Sequence, residues 1–143
     1  MRISRKAQHA VRAALDLALH ASSNRGVPSA EIARRTGVPE KFLEAILRDL
    51  REAGIVTSKR GPDGGHRLAG DPAKVTVRVL VEAIDGSFST ATGRQRGRAT
   101  SQDFCIRSLW RRVETAVLEV LESVTLEDMR HESGSPEPLD FTI

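Results

Sequence analysis

The stretch GIVTSKRGPDGGHRL, residues 54–68, places the cationic pair Lys59 and Arg60 directly before a glycine-rich turn. β-Branched residues precede this turn and Arg67 and Leu68 follow it, a pattern that predicts a two-stranded β-hairpin. Positive side chains at a hairpin tip can enter a minor groove, and glycines let the backbone approach phosphates. The hairpin residues predicted to contact nucleic acid are Ser58, Lys59, Arg60, Gly61, Gly64, Gly65 and His66.

A second charged set, Lys41, Glu44 and Arg48, recurs at spacings of three and four residues, which places it on one face of a helix. Glu44 is informative because a carboxylate facing DNA can accept a hydrogen bond from cytosine N4 in the major groove. The alternative is an i,i+4 ion pair between Glu44 and Arg48. Further contacts to DNA are predicted near the starts of three helices, from Arg2, Ser4, Arg5, Lys6, Ser29, Pro39 and Glu40.

The charge is unevenly distributed along the chain, although the net charge is only +3. Residues 1–80 carry 15 Lys and Arg against 8 Asp and Glu, whereas residues 81–143 carry 7 against 11. A basic front half indicates a face that meets a polyanion, although a solvated surface can give the same split. No apolar run approaches the length needed to cross a bilayer, and no leader is evident, so a cytoplasmic location is expected.

Enzyme chemistry has little support in the sequence. A phosphate-binding loop lies between a strand and a helix, but the glycines at 61–65 lead into HRLAGDP, which is not a helix start. The four histidines, His9, His20, His66 and His131, show neither metal-ligand spacing nor pairing with a nucleophile. The sequence therefore predicts a protein that is not an enzyme.

Cys105 is the single cysteine of the chain. It has two main interpretations, a small apolar residue at the start of a helix or a redox-active thiolate. A helix N-terminus and the neighbouring Arg107 would favour the thiolate, whose oxidation could then change DNA binding. Metal binding is a third interpretation.

The charged sets require helices to position them. Helical periodicity predicts a first helix over residues 4–22, a short helix over 29–36 capped by Ser29 and ended by Gly37, and a third over 39–54 with Pro39 in its first turn. Two helices joined by a tight turn are typical of a helix-turn-helix, whose second helix enters the major groove. The buried stripe of the third helix is predicted to be Leu43, Ile46, Leu47 and Leu50.

The second half of the chain is predicted to contain two helices separated by a loop. One begins at Thr76 and ends at Gly86, residues 86–103 form a flexible loop, and a long helix spans about 104–123. The apolar residues of the long helix alternate at spacings of four and three, which is typical of a helix-to-helix seam. The predicted dimer residues are Ile106, Leu109, Trp110, Val113, Val117, Val120, Leu121 and Val124. The alternative is that this face packs on its own domain.

These segments resemble the IscR/NsrR-type (Rrf-two) family of bacterial winged helix-turn-helix regulators. The matching stretches are RISRKAQHAVRAALDLALHA, SAEIARRTGVPEKFLEAILRDLREAGIVTSKRGPDGGHRLA, VTVRVLVEAIDG and CIRSLWRRVETAVLEVLESVTLEDM, which together span about residues 1–130. The resemblance implies a dimer with crossed C-terminal helices on a palindromic operator. It also implies that Lys41 and Glu44 read bases and that Arg60 reaches the minor groove. Ala45 stands where some members carry a base-reading glutamine, and His9 where a tyrosine is frequent.

The sequence departs from the family at its iron–sulfur site. Cluster-binding members use three cysteines in this region, but here only the third position remains, as Cys105. Ser108 stands where some members have a histidine, and Gln8 where others have an acidic ligand. No cofactor is therefore expected.

The predicted fold is mainly α with a small two-stranded β-hairpin, a winged helix-turn-helix domain followed by a long dimerisation helix. The predicted division is a DNA-binding domain at 1–85, a loop at 86–103, the dimerisation helix and a short following helix at 104–130, and a disordered tail at 131–143. The predicted function is that of a homodimeric regulator of transcription, a repressor that binds double-stranded DNA. Two alternatives are a sensor that uses Cys105 with non-cysteine ligands and a winged-helix module that binds proteins instead of DNA.

Overall fold

The computed structural model describes residues 2–88 and 97–134. The helices and strands of this part of the chain follow one another as α1 Arg5–His20, α2 Ser29–Thr36, α3 Glu40–Glu52, β1 Val56–Lys59, β2 Gly65–Leu68, α4 Val77–Asp85, α5 Ser101–Ser123 and α6 Leu126–Ser133. A single 3₁₀ turn, Pro72–Lys74, separates β2 from α4. The predicted fold class, mainly helical with one two-stranded antiparallel hairpin, is confirmed.

The core lies where α1 crosses α2, α3 and α4. Small residues on α1, among them Ala10, Ala13 and Ala14, are fully buried and allow the other helices to approach closely. The predicted stripe of α3 is confirmed, since Leu43, Ile46, Leu47 and Leu50 are all buried. Each such leucine or isoleucine contributes about 1.5–3 kcal/mol by leaving water. This stripe therefore fixes which face of α3 remains outside.

The helix boundaries differ from the prediction by a few residues. Ser29 is the first residue of α2 rather than its cap, because Pro28 occupies the cap position and no side chain caps this end. Pro39 likewise sits at the cap of α3 and not in its first turn. Gly37 ends α2 as predicted, with φ of 74°, a left-handed conformation that glycine adopts without strain.

The hairpin pairs Val56 with Leu68 and Lys59 with Gly65, so Gly65 belongs to β2 and not to the turn. Gly65 has φ of +128°, and a Cβ at this position would lie 2.6 Å from the carbonyl carbon of Val27. Val27 and His66 exchange two backbone hydrogen bonds of 2.8 Å each. Gly65 therefore allows the hairpin to lie in close contact with the segment after α1, a role that the sequence did not indicate.

The long helix α5 begins at Ser101, three residues before the predicted start. The Thr100 hydroxyl accepts the backbone N–H of Asp103, and the Asp103 carboxylate accepts the backbone N–H of Thr100, a capping box. Residues 101–103 of the predicted loop are thus helical, and residues 89–96 lie outside the described part. The prediction that a disordered tail begins at residue 131 is wrong, because α6 continues to Ser133.

Backbone hydrogen bonds fasten the end of α5 to the start of α4. Val77 N–H donates to Val124 O and Leu126 N–H donates to Val75 O, both at 2.9 Å. Leu126, at the start of α6, is fully buried in the core beside α1. None of the helices in the described ranges is long and apolar enough to cross a membrane.

Candidate DNA-binding surface

The outer face of α3 carries the charged residues singled out in the sequence. Lys41, Glu44 and Arg48 are exposed, and they lie opposite the buried stripe of the same helix. In the part of the chain that the structure describes, none of the three has an ion-pair partner within 4 Å. The i,i+4 ion pair between Glu44 and Arg48, which was the alternative interpretation, is therefore not formed, and both side chains are available to an external ligand.

These residues border a groove of about 500 Å³ between α2, α3 and β2. The residues that line this α3 groove are Ser29, Lys41, Glu44, Ala45, Leu47, Arg48, Arg51 and His66. The fold thus brings together five predicted DNA-binding residues from three separate elements. Lys41, Arg48 and Arg51 outnumber Glu44 among the charged groups, so the groove favours an anion.

The tip of the hairpin is separate from the α3 groove. Lys59 and Arg60 are exposed, and neither has an ion-pair partner among the described residues. Gly61 has φ of +112° and open space around its Cα, whereas a Cβ on Gly64 would collide with the carbonyl oxygen of Lys59. The tight turn is thus flanked by two exposed cations that are unpaired among the described residues.

The predicted residues at the start of the chain divide into two groups. Arg2 and Arg5 are exposed and unpaired within the described residues. Ser4 instead caps α1 by accepting the N–H of Ala7, and its own N–H donates to the Asp85 carboxylate at 2.8 Å. Lys6 Nζ lies 2.6 Å from Asp49 Oδ2 on α3. Ser4 and Lys6 thus have internal partners that sequence reasoning did not reveal.

A hydrogen-bonded chain links α3 to both strands of the hairpin. Arg51 Nη1 donates to Ser58 Oγ at 3.3 Å, and Ser58 Oγ lies 2.6 Å from His66 Nδ1. Burial, followed by repulsion from the Arg51 guanidinium, lowers the pKa of His66 below its usual value of 6.5. Arg51 was missed in the sequence because no local pattern relates it to residues on the strands.

Phe42 is a second residue that the sequence reasoning missed. Its ring is 58% exposed on α3, on a flank between the buried stripe and the charged face. Phe104 and Trp110 are exposed too, at 73% and 46%, but both lie on α5, whereas Phe42 adjoins the charged face of α3. Its position one residue after Lys41 was the signal that could have identified it.

The outer face of α5 is apolar and uncovered. Ile106, Leu109, Trp110 and Val120 are all close to half exposed, at 52%, 49%, 46% and 54%. Val113, Val117 and Val124 are half-buried. Leu121, which was assigned to the same seam, is buried within its own chain, on the helix that packs against α4.

Cys105 lies in the second turn of α5 and is exposed in the single chain. Within residues 2–88 and 97–134, no three His, Cys, Asp or Glu side chains are grouped closely enough to hold a metal ion. One thiol and an amide at Gln8 do not match the ligand set of a cluster held by three cysteines. The residues present thus do not fit an iron–sulfur centre of that design.

Comparison with known proteins relates the chain to a family of transcriptional regulators. The family model Rrf2, described as an iron-dependent transcriptional regulator, matches residues 3–132. The chain is 35% identical over 130 residues to the HTH-type transcriptional regulator IscR of Vibrio cholerae serotype O1, covering 90% of this chain and 75% of that protein. It is also 35% identical over 130 residues to IscR of Photorhabdus laumondii, covering 90% and 79%.

Two solved structures share the fold over most of the chain. IscR from T. potens superposes with a TM-score of 0.76 at 32% identity, covering 93% of this chain and 88% of the other. CymR of B. subtilis, described as the global cysteine regulator, gives a TM-score of 0.77 at 30% identity, covering 92% and 97%.

Proposed function

Because this chain belongs to the Rrf2 family of DNA-binding transcriptional regulators, we propose that it acts as a homodimeric repressor on a palindromic operator. A repressor of this kind blocks transcription by occupying its operator. The family relationship supports regulation of transcription and not an enzymatic activity. The observation that carries the proposal is the α3 groove, where cations and one carboxylate that have no ion-pair partner within the described residues lie together.

In this proposal α3 enters the major groove and the β1–β2 wing enters the minor groove. Lys41 and Glu44 are exposed near the N-terminal end of α3, where a recognition helix contacts base edges. Arg60, exposed at the wing tip, would reach the minor groove. Arg2, Arg5 and the N-terminal residue of α2, Ser29, would contact phosphates.

The dimer would form through α5. A row of half-exposed apolar side chains on one helix is costly in water, and a second copy of the helix would cover it. Residues 1–85 would form the DNA-binding domain, with Leu126 of α6 completing its core. Two such domains related by a two-fold axis would match the two halves of a palindrome.

Iron dependence in the family does not transfer directly to this chain, and we propose that its activity does not require a cluster. The donor set around Cys105 is the support for this proposal. Anaerobic purification followed by iron and acid-labile sulfide analysis tests it, with absence of both expected. Stoichiometric iron and sulfide, or a visible chromophore that is lost in Cys105→Ser, would show that the protein uses non-cysteine ligands.

A thiol-based switch is the second candidate function, favoured by the exposure of Cys105 close to the α5 seam. Oxidation of this thiol, with peroxide as the oxidant, would give a sulfenic acid and then a disulfide with the partner copy, with release of water at each step. Such a bridge would alter the spacing of the two DNA-binding domains.

Fluorescence anisotropy on the DNA upstream of the protein's own gene tests both candidates. The reduced protein is expected to bind tightly, and binding should weaken as salt is raised. Loss of binding after peroxide in the parent but not in Cys105→Ser would establish the thiol switch. Absence of salt-dependent binding, together with no effect of Lys41→Ala and Arg60→Ala, would favour a protein-interaction module instead.

A further inference from the structure

The hydrogen-bonded chain between α3 and the wing involves three elements. Arg51 comes from the last turn of α3, Ser58 from β1 and His66 from β2, where Ser58 and His66 face each other across the hairpin. The Arg51 guanidinium donates to Ser58 Oγ at 3.3 Å, and Ser58 Oγ lies 2.6 Å from His66 Nδ1. The contact therefore joins the recognition helix to both strands of the wing.

The guanidinium of Arg51 favours one direction for the hydrogen bond between Ser58 and His66. Arginine has donors and no acceptor, so one lone pair of Ser58 Oγ is taken by Arg51. A hydroxyl that accepts from a cation becomes a better donor, which favours donation of its hydrogen to His66 Nδ1. In this arrangement Nδ1 is the acceptor, and the ring proton of a neutral His66 is on Nε2.

His66 also lines the α3 groove, beside Lys41, Glu44 and Arg48. Its Nε2 has no hydrogen-bond partner among the residues that the structure describes. Arg51 from α3 acts on the ring directly, and the other charged groups that line the same groove are Lys41, Glu44 and Arg48, whereas Ser58 from β1 and Ser29 from α2 are neutral. Cations predominate around the ring, in keeping with the lowered pKa of His66 and a neutral imidazole near pH 7.

We propose that Arg51 and Ser58 hold His66 in its Nε2–H tautomer, so that the ring donates an uncharged hydrogen bond to a DNA phosphate at the edge of the α3 groove. The proposal rests on the proposed DNA-binding function. His66 is the contacting residue, and Arg51 and Ser58 position it. The groove thus combines cations with a neutral donor whose direction the protein sets in advance.

Two substitutions at His66 separate this donor from a packing role. His66→Gln keeps an N–H donor near the position of Nε2, whereas His66→Phe keeps a ring and removes the donor. We expect His66→Phe to weaken operator binding about fivefold to tenfold, and His66→Gln to stay within about twofold of the parent. The salt dependence should be unchanged in both variants, because a neutral donor releases no counterion.

His131→Phe is the matched control, since His131 is exposed on α6, far along the chain from the wing. It should bind as the parent does. If His66→Phe bound the operator as tightly as the parent, the proposed hydrogen bond from His66 to a DNA phosphate would be overturned. Equal loss in His66→Gln and His66→Phe would also overturn it, because a packing role would then explain both.

The tautomer is tested separately, by ¹⁵N NMR of the imidazole in the free protein at pH 7. The parent should show the Nε2–H form of His66, and Ser58→Ala should show a mixture of tautomers. An Nδ1–H form in the parent would overturn the proposal. This spectrum requires no DNA, so failure of the parent to bind any DNA would count against the proposed function and the phosphate contact, while the tautomer result would stand.

Discussion

At the scale of single residues, the cations of this protein differ in whether they have an internal partner. Arg35 donates Nε and Nη2 to the two carboxylate oxygens of buried Asp16, at 2.9 and 3.0 Å, which fastens α2 to α1. This hydrogen bonding raises the pKa of Arg35 above its usual value. Lys41 and Arg60 have no such partner in the described ranges. The paired cations stabilise the fold, whereas the unpaired ones are available to bind DNA.

Replacement of Arg60 by alanine tests the wing. If its guanidinium lies at a phosphate, Arg60→Ala should reduce the slope of log affinity against log salt by about 1, with weaker binding at every salt concentration. Anisotropy titrations across a salt series measure both. Arg130→Ala is the control, because Arg130 pairs with Glu127 on α6. A slope and an affinity equal to those of the parent would show that Arg60 does not contact the DNA.

Glu44→Ala tests base reading by α3. The carboxylate has no internal partner in the described chain, so its loss should leave the fold intact. We expect the variant to bind DNA but to discriminate less at one base pair, by about 1–3 kcal/mol. Competition with operators changed at single positions measures this, with Glu52→Ala as control. Undiminished discrimination at every position would refute a cytosine contact.

The lowered pKa of His66 predicts a pH dependence of stability. The unfolded chain binds a proton at this residue near pH 6.5, and the folded chain does so only at lower pH. The free energy of unfolding should therefore fall as the pH drops below about 6.5. Above that pH, His66 should add no pH dependence to the stability. Urea denaturation of the parent and of His66→Gln isolates the effect by difference. Identical pH profiles for the two proteins would contradict it.

At the scale of elements, the wing depends on how closely its second strand approaches the segment after α1. Gly26 and Gly65 face each other there, and a Cβ on Gly26 would lie 2.7 Å from the carbonyl carbon of Gly65. Backbone hydrogen bonds from Gly26 to Asp63 and between Val27 and His66 hold the two together. The orientation of the wing relative to α3 is thus determined by backbone contact as well as by the side-chain link through Ser58.

Gly65→Ala should separate the wing from this segment. The added Cβ meets the Val27 backbone at 2.6 Å, and a φ of +128° is unfavourable for alanine, so we expect a loss of about 2 kcal/mol or more of stability. Gly70→Ala is the matched control, because a Cβ added to Gly70 would meet no atom within 4 Å and the φ of this residue is ordinary. Chemical denaturation compares the two. Equal stability of both variants would show that the close approach is not required.

At the scale of the whole molecule, α5 is the element whose surface does not suit an isolated chain. Only Leu121 of this 23-residue helix is buried, although Trp110 and three aliphatic side chains project from it. The basic half of the chain lies before this helix in the sequence, and the acidic half includes it. Dimerisation through α5 would therefore bring two basic surfaces together on one DNA without placing them against each other.

Trp110→Glu should disrupt such a dimer, because it places a charge in the centre of the apolar face. Light scattering after gel filtration should then give the monomer mass, and operator affinity should fall by at least about tenfold because binding by two half-sites is lost. Ser108→Glu adds the same charge on another side of α5, where Ser108 is exposed, and should remain dimeric. A dimeric Trp110→Glu would place the interface elsewhere.

Much of this architecture follows from local sequence. The apolar spacing of α3, Gly37 between two helices and the glycine-rich turn after Lys59 each depend on residues a few positions apart, so periodicity and turn chemistry predict them. The absence of two of the three family cysteines is likewise readable without coordinates. The Thr100 and Asp103 capping box was a local signal too, and with it the start of α5 could have been predicted.

Contacts between distant segments were decided by the tertiary structure alone. Lys6 meets Asp49, 43 residues away, and Ser4 meets Asp85, 81 residues away, because α1 packs against both α3 and α4. Leu121 is buried and Trp110 is exposed on one helix because α4 covers only part of it. Residue type and spacing thus determined the helices, the hairpin and their charged faces, whereas packing determined which charges are paired, because pairing depends on distances that the chain acquires only on folding.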